Sequence, residues 1–201
     1  LRYVKKQTPE ICLEAVRQYC LSIRFVENQT PDLCMEAVRQ NGLSLQYVKR
    51  QTPEICITAI KQNASALQYV IKQITEICMA AVKADGLALQ YVETQTPEIC
   101  LEAVKHNGDA LRYVNEQTSE ICLKAIKQNY IAIRYAKNVT PEMYNMATSR
   151  QTMHIEHHIL KYVKFQTPEV CLAAVKQDGM ELKYVIEQTP EICLEAVKDD
   201  G

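Results

Sequence analysis

The sequence predicts an all-α protein, an α-solenoid in which about nine 22-residue helix–turn–helix repeats stack into a rod or right-handed superhelix. Two observations predict this fold. The hexapeptide Gln-Thr-Pro-Glu-Ile-Cys, or a close variant, recurs every 22 residues, with one step of 27 residues after Val139. When the repeat is numbered 1 to 22 from its glutamine, all seven prolines fall at position 3 and all five glycines at position 14. A fixed period of this length is typical of stacked repeats.

The whole chain, residues 1–201, is interpreted as one repeat array. Its units are residues 1–6 (partial), 7–28, 29–50, 51–72, 73–94, 95–116, 117–138, 139–165 (irregular), 166–187 and 188–201 (partial). The irregular unit carries a five-residue insertion. Because the chain begins and ends within a repeat, we expect it to be part of a longer array.

The first half of each repeat predicts an α-helix, helix A, over positions 3 to 12. Threonine at position 2 is a good N-cap, and proline then occupies the first helical position, where its missing N–H costs nothing. An acidic residue at position 4 and Lys or Arg at position 11 suit the two ends of the helix dipole. Asn-Gly or Asp-Gly at positions 13 and 14 is expected to end the helix with a left-handed residue.

The second half of each repeat predicts a second short helix, helix B, over positions 15 to 22. Apolar residues stand at positions 15, 17, 19 and 20, as in Leu43, Leu45, Tyr47 and Val48. Positions 17 and 20, and positions 15 and 19, are neighbours on a helix surface. Helices of eight to ten residues are marginal alone in water, so each must bury its apolar face against the neighbouring repeat.

Composition limits the classes of function. The chain is 47% hydrophobic and 23% charged with a net charge of −1, so general electrostatic attraction to nucleic acid or anionic lipid is absent. The longest apolar runs have six residues, far fewer than the roughly 20 that a membrane span needs. Nine cysteines without a Cys-x-x-Cys pair suggest neither a disulfide framework nor a zinc site. We therefore expect an intracellular, reducing compartment and no cofactor.

Two residue types form rows along the array. Eight of the nine cysteines stand at position 6, and a small buried apolar residue explains them better than a redox or metal ladder. Eight of the eleven tyrosines stand at position 19. We interpret them as an aromatic ladder between successive helices B, and the alternative is a stacking platform for bases or peptides.

The irregular unit, residues 139–165, departs most from the pattern and is the predicted site of specificity. The candidate partner surface consists of Tyr144, Arg150, His154, Glu156, His157 and His158. On a helix, His154 lies one turn from both His157 and His158, a spacing that can hold a metal ion. The interpretation that we favour is an inserted helical turn with solvated histidines, and no metal is expected.

The repeat also resembles a known family. Residues 95–116 match the consensus Gln-Thr-Pro-Glu-Ile-Cys-Leu-Glu-Ala-Val-Lys-Gln-Asn-Gly-Leu-Ala-Leu-Arg-Tyr-Val-Lys-Glu closely. This consensus resembles the short, 22-residue α-helical repeats of a family of unknown function, abundant in giant DNA viruses of amoebae and found in amoeba-infecting bacteria. The resemblance implies a viral or effector-like origin and exposure to host cytosol. The family has no established activity, so the resemblance assigns no catalytic residue.

Together these features predict a non-enzymatic repeat scaffold for protein–protein interaction. No nucleophile, base and orienting group recur together, and the glycines are all explained as helix stops. One alternative is a structural protein that assembles through the ends of the solenoid. Another is repeat-by-repeat RNA binding, which the acidic row at position 4 disfavours. We therefore expect a protein partner and do not expect nucleic acid or a membrane to be bound.

Overall fold

The computed structural model describes residues 1–149 and 158–198. Within these residues the regular elements are α-helices and 3-10 helices, without a β-strand. The α-helices are α1 (Pro9–Gln18), α2 (Pro31–Gln40), α3 (Pro53–Gln62), α4 (Thr75–Ala84), α5 (Pro97–His106), α6 (Ser119–Gln128), α7 (Pro141–Thr148), α8 (Pro168–Gln177) and α9 (Pro190–Ala196). The 3-10 helices are η1 (Cys20–Phe25), η2 (Gly42–Tyr47), η3 (Ala64–Tyr69), η4 (Gly86–Tyr91), η5 (Gly108–Tyr113), η6 (Tyr130–Tyr135), η7 (Ile159–Tyr162) and η8 (Gly179–Tyr184).

The chain divides into two compact units, Leu1–Ala103 and Val104–Gly201. In the first unit α1 to α4 pack each on the next, and η1 to η4 form a second layer in the same order. In the second unit α6 to α9 and η5 to η8 repeat this arrangement. Each helix therefore packs mainly on its neighbours in sequence, and the predicted all-α repeat fold is confirmed.

Helix A begins as predicted. At α3 the Thr52 hydroxyl accepts a hydrogen bond of 3.3 Å from the Ile55 amide, and Pro53 follows at the first helical position. One repeat has Ile74 at the cap position and makes no side-chain cap, yet α4 still has ten residues. Because α4 also begins at position 3 of its repeat, the side-chain cap supports the start of helix A, and burial of the apolar face is enough to hold the helix in place.

The predicted second helix of each repeat is present, but its predicted bounds, positions 15 to 22, and its α-helical side-chain spacing are wrong. The element is a 3-10 helix over positions 14 to 19, closed by bonds such as Ser44 N–H to Asn41 O (2.9 Å) and Val48 N–H to Leu45 O (3.0 Å). A 3-10 helix has three residues per turn, so Leu45 and Val48 lie one turn apart and both reach the core. Positions 15, 17, 19 and 20 could not distinguish the two helix types over so few residues.

The prediction that a left-handed glycine ends helix A is also wrong, because the described residues include no positive φ. Asn41, at position 13, is extended with φ −149° and ψ 111°, and its Oδ1 accepts from the Leu43 amide at 3.0 Å. Gly42 is needed instead because the next repeat approaches closely: a Cβ on it would overlap the carbonyl oxygen of Ala59. Its amide donates to Oε1 of Gln62 at 2.6 Å.

The core lies between the two helix layers of each unit. Helix A contributes positions 5, 6, 9 and 10, as in Ile55, Cys56, Ala59 and Ile60, and the 3-10 layer contributes position 17 and the Val at position 20. The cysteines at position 6 are free, and seven of them are buried, as predicted. No helix of the described residues is long and apolar enough to cross a membrane.

Candidate functional site

Only two of the six residues predicted as a partner surface lie within the described part of the chain. They are Tyr144 and His158. The others, Arg150, His154, Glu156 and His157, lie outside the described residues, so the structure does not test the proposed histidine metal site. Within the described ranges, no three His, Cys, Asp or Glu side chains are placed to hold a metal ion.

The prediction that Tyr144 belongs to an exposed surface is wrong. Its side chain is 1% exposed, and its hydroxyl donates a hydrogen bond of 3.0 Å to Oε1 of Glu181. Tyr144 takes the core position that cysteine fills in the other repeats, so its ring extends inward. Glu181 stands at position 16 of the following repeat, where the other regular repeats have Ala or Ser. The tyrosine therefore connects the irregular unit to the following repeat.

Glu181 also completes the shortened 3-10 helix of the irregular unit. Its Oε1 accepts from the Ile159 amide at 2.9 Å, and its Oε2 accepts from the Leu160 amide at 3.3 Å. In a regular repeat the first of these amides bonds to the position 13 carbonyl, as Ser44 does to Asn41. Because η7 has four residues instead of six, that partner is replaced by the carboxylate of the next repeat.

His158 lies at the edge of this buried cluster. Its Nδ1 is 3.8 Å from Oδ2 of Asp178 and 3.9 Å from Oε1 of Glu181. Its ring centroid is 4.8 Å from that of Tyr184, with the two ring planes tilted by 38°. These distances are too long for hydrogen bonds, so the histidine acts on the carboxylates through its charge when protonated.

Burial shifts the ionisation of the two central groups. It raises the pKa of Glu181, although the hydrogen bond from Tyr144, the charge of His158 and the two backbone amides act against that increase. Burial, followed by the nearby charge of Glu181, also raises the pKa of the Tyr144 phenol, so the phenol remains a hydrogen-bond donor. The cluster fastens two repeats together at the point where the period is broken.

Glutamine at position 1 has a structural role that the sequence did not reveal. Nε2 of Gln51 donates to the Tyr69 carbonyl at 2.8 Å and to the Leu45 carbonyl at 3.3 Å. Its Oε1 accepts from the Ile71 amide at 2.9 Å and from Sγ of Cys56 at 3.7 Å. The one available signal was that a polar residue recurs at a fixed position beside a core cysteine. The glutamine fixes the path of the loop between one repeat and the next.

This loop borders a cleft that recurs between repeats. Three examples of this cleft share one plan. Positions 1, 3 and 6 of one repeat form one wall, positions 2 and 5 of the next repeat form the other, and positions 21 and 22 form the rim. The cleft volumes are about 150, 360 and 560 Å³. The first joins repeats 7–28 and 29–50, the second joins 166–187 and 188–201, and the third joins 51–72 and 73–94.

The rims of the three clefts differ, although their walls are alike. Position 21 is Glu27 in the smallest cleft, whereas Ile71 and Ile186 occupy it in the other two and are 72% and 74% exposed. Phe165, beside the cleft of Ile186, is 66% exposed. Large exposed apolar side chains at the mouth of a cleft are typical of interaction sites. An apolar-rimmed cleft is therefore present in each of the two compact units.

The repeated helix pairs, the glutamine-fixed loops and the recurring clefts define a tandem helical-repeat protein. The sequence profile of the family described as "Domain of unknown function (DUF4116)" matches residues 30–75, 53–96, 75–118 and 96–138 in four overlapping copies. These matches cover more than half of the chain, which therefore belongs to this family of short repeats. Comparison with curated proteins and with solved structures gave no match.

Proposed function

We propose that the chain is a non-enzymatic scaffold that binds segments of other proteins in its inter-repeat clefts. The observation that carries this proposal is the recurrence of one cleft with the same walls and a different rim. Repeat proteins use such an arrangement because the frame is built once and each repeat then presents its own residue to a partner. Catalysis is not part of the proposal, since no set of reactive groups recurs in the sequence.

The contrast between frame and rim supports this assignment. The Gln51 and Cys56 side chains contact each other in the wall of the third cleft, and the Thr52 hydroxyl caps the helix that forms that wall. These residues make contacts that stabilise the fold, so their identity is constrained. The Ile71 side chain, by contrast, is exposed, and this residue bonds to Gln51 through its backbone amide, which any residue except proline could supply. Its side chain can therefore vary to suit a partner. An apolar rim favours an apolar side chain on that partner.

A peptide-display selection on the intact chain tests the proposal. Peptides that bind are measured again on Ile71→Glu and Ile186→Glu, which place a charge at the mouths of the two apolar-rimmed clefts. Gln68→Glu is the matched control, because it adds the same charge at an exposed residue of the same repeat that lies outside the cleft. We expect apolar-containing peptides to lose about tenfold or more in affinity on the Ile variants, since a carboxylate at the cleft mouth must be desolvated.

The control must bind such peptides with unchanged affinity. Equal losses for Gln68→Glu and Ile71→Glu would mean that charge alone controls binding, and the clefts would not be the site. The proposal would be overturned if no selected peptide lost affinity on Ile71→Glu or Ile186→Glu. Molar mass in solution, followed against concentration, separates partner binding from self-association through the repeats, which would appear as growth in mass without added peptide.

We also infer that the scaffold works inside a cell, in the reducing cytoplasm of a host or in a virion. The free cysteine row and the resemblance to repeats of giant DNA viruses of amoebae and amoeba-infecting bacteria support this location. Immunofluorescence of infected amoebae with an antibody to the chain tests it. Signal confined to the outer surface of the host cell would contradict it.

A further inference from the structure

Four cations form a row on the 3-10 helices of the second unit. They stand at position 18 of successive repeats: Arg112, Arg134, Lys161 and Lys183. The helices that carry them, η5 to η8, pack each on the next, so the four side chains follow one another along a single layer. We refer to these four residues as the cation row.

Each cation lies on an aromatic ring of the same layer. The Arg112 guanidinium is 4.6 Å from the centroid of the Tyr113 ring, and Nζ of Lys161 is 4.9 Å from that of Tyr162. Lys183 and Arg134 lie 5.6 and 5.3 Å from the rings of Tyr184 and Tyr162, respectively. A cation within about 6 Å of a ring face is held there by attraction. The rings therefore hold the row in place before any ligand arrives.

The charges of the cation row are not neutralised within the described part of the second unit. Among the described residues, none of these four cations forms an ion pair with a carboxylate, unlike Lys198, whose Nζ lies 2.7 Å from Oε2 of Glu195. The buried Nε of Arg134 likewise has no hydrogen-bond partner among these residues. A pre-positioned row of unneutralised cations is suited to an anionic ligand.

Three successive repeats of the first unit show the contrasting state of the same position. There Gln46, Gln68 and Gln90 fold back on their own helices, and each Nε2 donates to a carbonyl three residues earlier at 3.0, 2.9 and 3.1 Å, respectively. These neutral side chains therefore have a hydrogen-bond partner within their own helices. Arg2 and Arg24 of the first unit lie on the rings of Tyr3 and Phe25, at 5.7 and 4.5 Å, but the three glutamines that follow end this charge. The second unit instead carries a cation at this position in each of its four 3-10 helices, although the glutamines show that the fold does not need one.

We propose that the cation row binds an acidic, extended segment of a partner protein, with one carboxylate for each repeat. This inference rests on the proposed scaffold function and names the chemistry of one partner. Packed neighbouring helices lie about 8–10 Å apart. One turn of a polyproline II segment has three residues and rises about 9 Å, so every third side chain faces the same way at a similar spacing. A segment with Glu at every third residue matches the row.

A peptide fits this surface better than a nucleic acid does. Every repeat of the second unit carries an exposed acid at position 4, and the chain has a net charge of −1, so its overall field does not attract a polyphosphate. The tyrosine rings are covered by their own cations and are not free to stack on bases. A few carboxylates can instead pair with the row locally.

Fluorescence anisotropy with the full chain tests the inference. The probe is a labelled 12-residue peptide, (Glu-Pro-Ser)₄, and it is compared with a peptide of the same composition whose glutamates are consecutive and with a 12-nucleotide single-stranded RNA. The variant Arg112→Gln, Lys161→Gln, Lys183→Gln gives the second unit the glutamine that the first unit has. The control variant Lys124→Gln, Lys127→Gln, Lys176→Gln removes three charges from the exposed face of α6 and α8.

We expect the spaced peptide to lose about tenfold or more in affinity on the row variant and less than about twofold on the control. Far-ultraviolet circular dichroism confirms that both variants keep their helices. The variant Gln46→Arg, Gln68→Arg, Gln90→Arg should bind the spaced peptide through the first unit as well. Equal losses on both variants, equal binding of the clustered peptide, or tighter binding of the RNA would each overturn the inference. Because cleft partners are measured separately on Ile71→Glu, failure here leaves the cleft proposal intact, and the converse also holds.

Discussion

The Tyr144 hydroxyl donates a hydrogen bond of 3.0 Å to Glu181, joining two residues that stand 37 positions apart. Both residues replace small ones: Tyr144 stands where the other repeats have cysteine, and Glu181 where the other regular repeats have alanine or serine. The bond spans the repeat that carries the insertion. The two substitutions are therefore best understood together, as a polar joint that compensates for the lost period.

Replacement of Glu181 by alanine should destabilise the second unit, even though alanine is common at this position in other repeats. It leaves the amides of Ile159 and Leu160 and the Tyr144 hydroxyl without their acceptor, at an expected cost of about 2–4 kcal/mol. Chemical denaturation measures the loss, and hydrogen exchange should show faster exchange at Ile159 and Leu160. Glu187→Ala, at an exposed site, should stay within about 0.5 kcal/mol. Equal stability of the two variants would show that Glu181 does not stabilise the contact between the irregular unit and the following repeat.

The stability of the wild type relative to Glu181→Gln should depend on pH. Because burial raises the pKa of Glu181 in the folded chain, the folded state binds this proton more tightly than the unfolded state. The stability that this proton supplies is complete below the ordinary pKa of 4.5 and is lost as pH rises through the higher folded value. Glutamine does not titrate, so the difference in unfolding free energy between the two proteins should fall over this window.

The free energy of unfolding of both proteins, measured from pH 4 to pH 8, tests this sign. The exposed acids Glu10 and Glu169 have lowered pKa values and are present in both proteins, so their effect cancels in the difference. A difference that stays constant, or that grows with pH, would contradict the assignment of a buried carboxylate with a raised pKa.

Loss of the Gln51 side chain should loosen the loop between two repeats. Gln51→Ala removes the donors to the Tyr69 and Leu45 carbonyls and the acceptor for the Ile71 amide, so we expect about 1–3 kcal/mol of destabilisation. Gln68→Ala is the matched control, since Gln68 is exposed and bonds only to its own helix. Thermal unfolding of both variants measures the effect. If both variants melt together, the glutamine at position 1 does not brace the loop.

What the sequence could predict depends on how far apart the interacting residues are. The start of helix A follows from neighbouring residues, such as Thr52 and Pro53, and was predicted. The end of helix A was predicted correctly, but for the wrong reason. Gly42 is required because the Ala59 carbonyl of the next repeat leaves no room for a Cβ, and it does not adopt a left-handed conformation. Local chemistry thus fixed the boundaries of the helix, whereas packing between repeats decided the role of the glycine.

Contacts between distant positions were beyond sequence reasoning. Gln51 meets the Tyr69 carbonyl 18 residues later, and its polar side chain looked like an ordinary loop residue. Tyr144 was predicted to lie on a partner surface because the unit that contains it departs most from the repeat. Its buried partner, Glu181, lies one repeat further along, beyond an insertion that shifts the register. The clefts could not be predicted from one repeat either, because two successive repeats form the walls of each cleft.

Alanine at Gly42 should destabilise the first unit. Its Cβ would overlap the Ala59 carbonyl, so the two repeats must move apart, at an expected cost of about 1–3 kcal/mol. Ala64→Gly is the control, because that repeat already accepts alanine at the same position. It should cost only the entropy of glycine, about 0.5–1 kcal/mol. Denaturant midpoints measure both, and a Gly42→Ala protein as stable as the wild type would show that no close contact constrains this position.

Alkylation of the cysteines should separate the buried row from the other two thiols. Cys56 and Cys171 are buried, and that burial raises the pKa of each thiol, which lowers its thiolate fraction. Cys20 and Cys193 are partly exposed. With iodoacetamide at pH 8, peptide mass spectrometry should show Cys20 and Cys193 labelled about tenfold faster than Cys56 and Cys171. In guanidinium chloride all nine thiols should react at similar rates, since unfolding removes the protection. Labelling of Cys56 as fast as that of Cys20 in the folded protein would mean that the row is open to solvent and free to carry thiol chemistry.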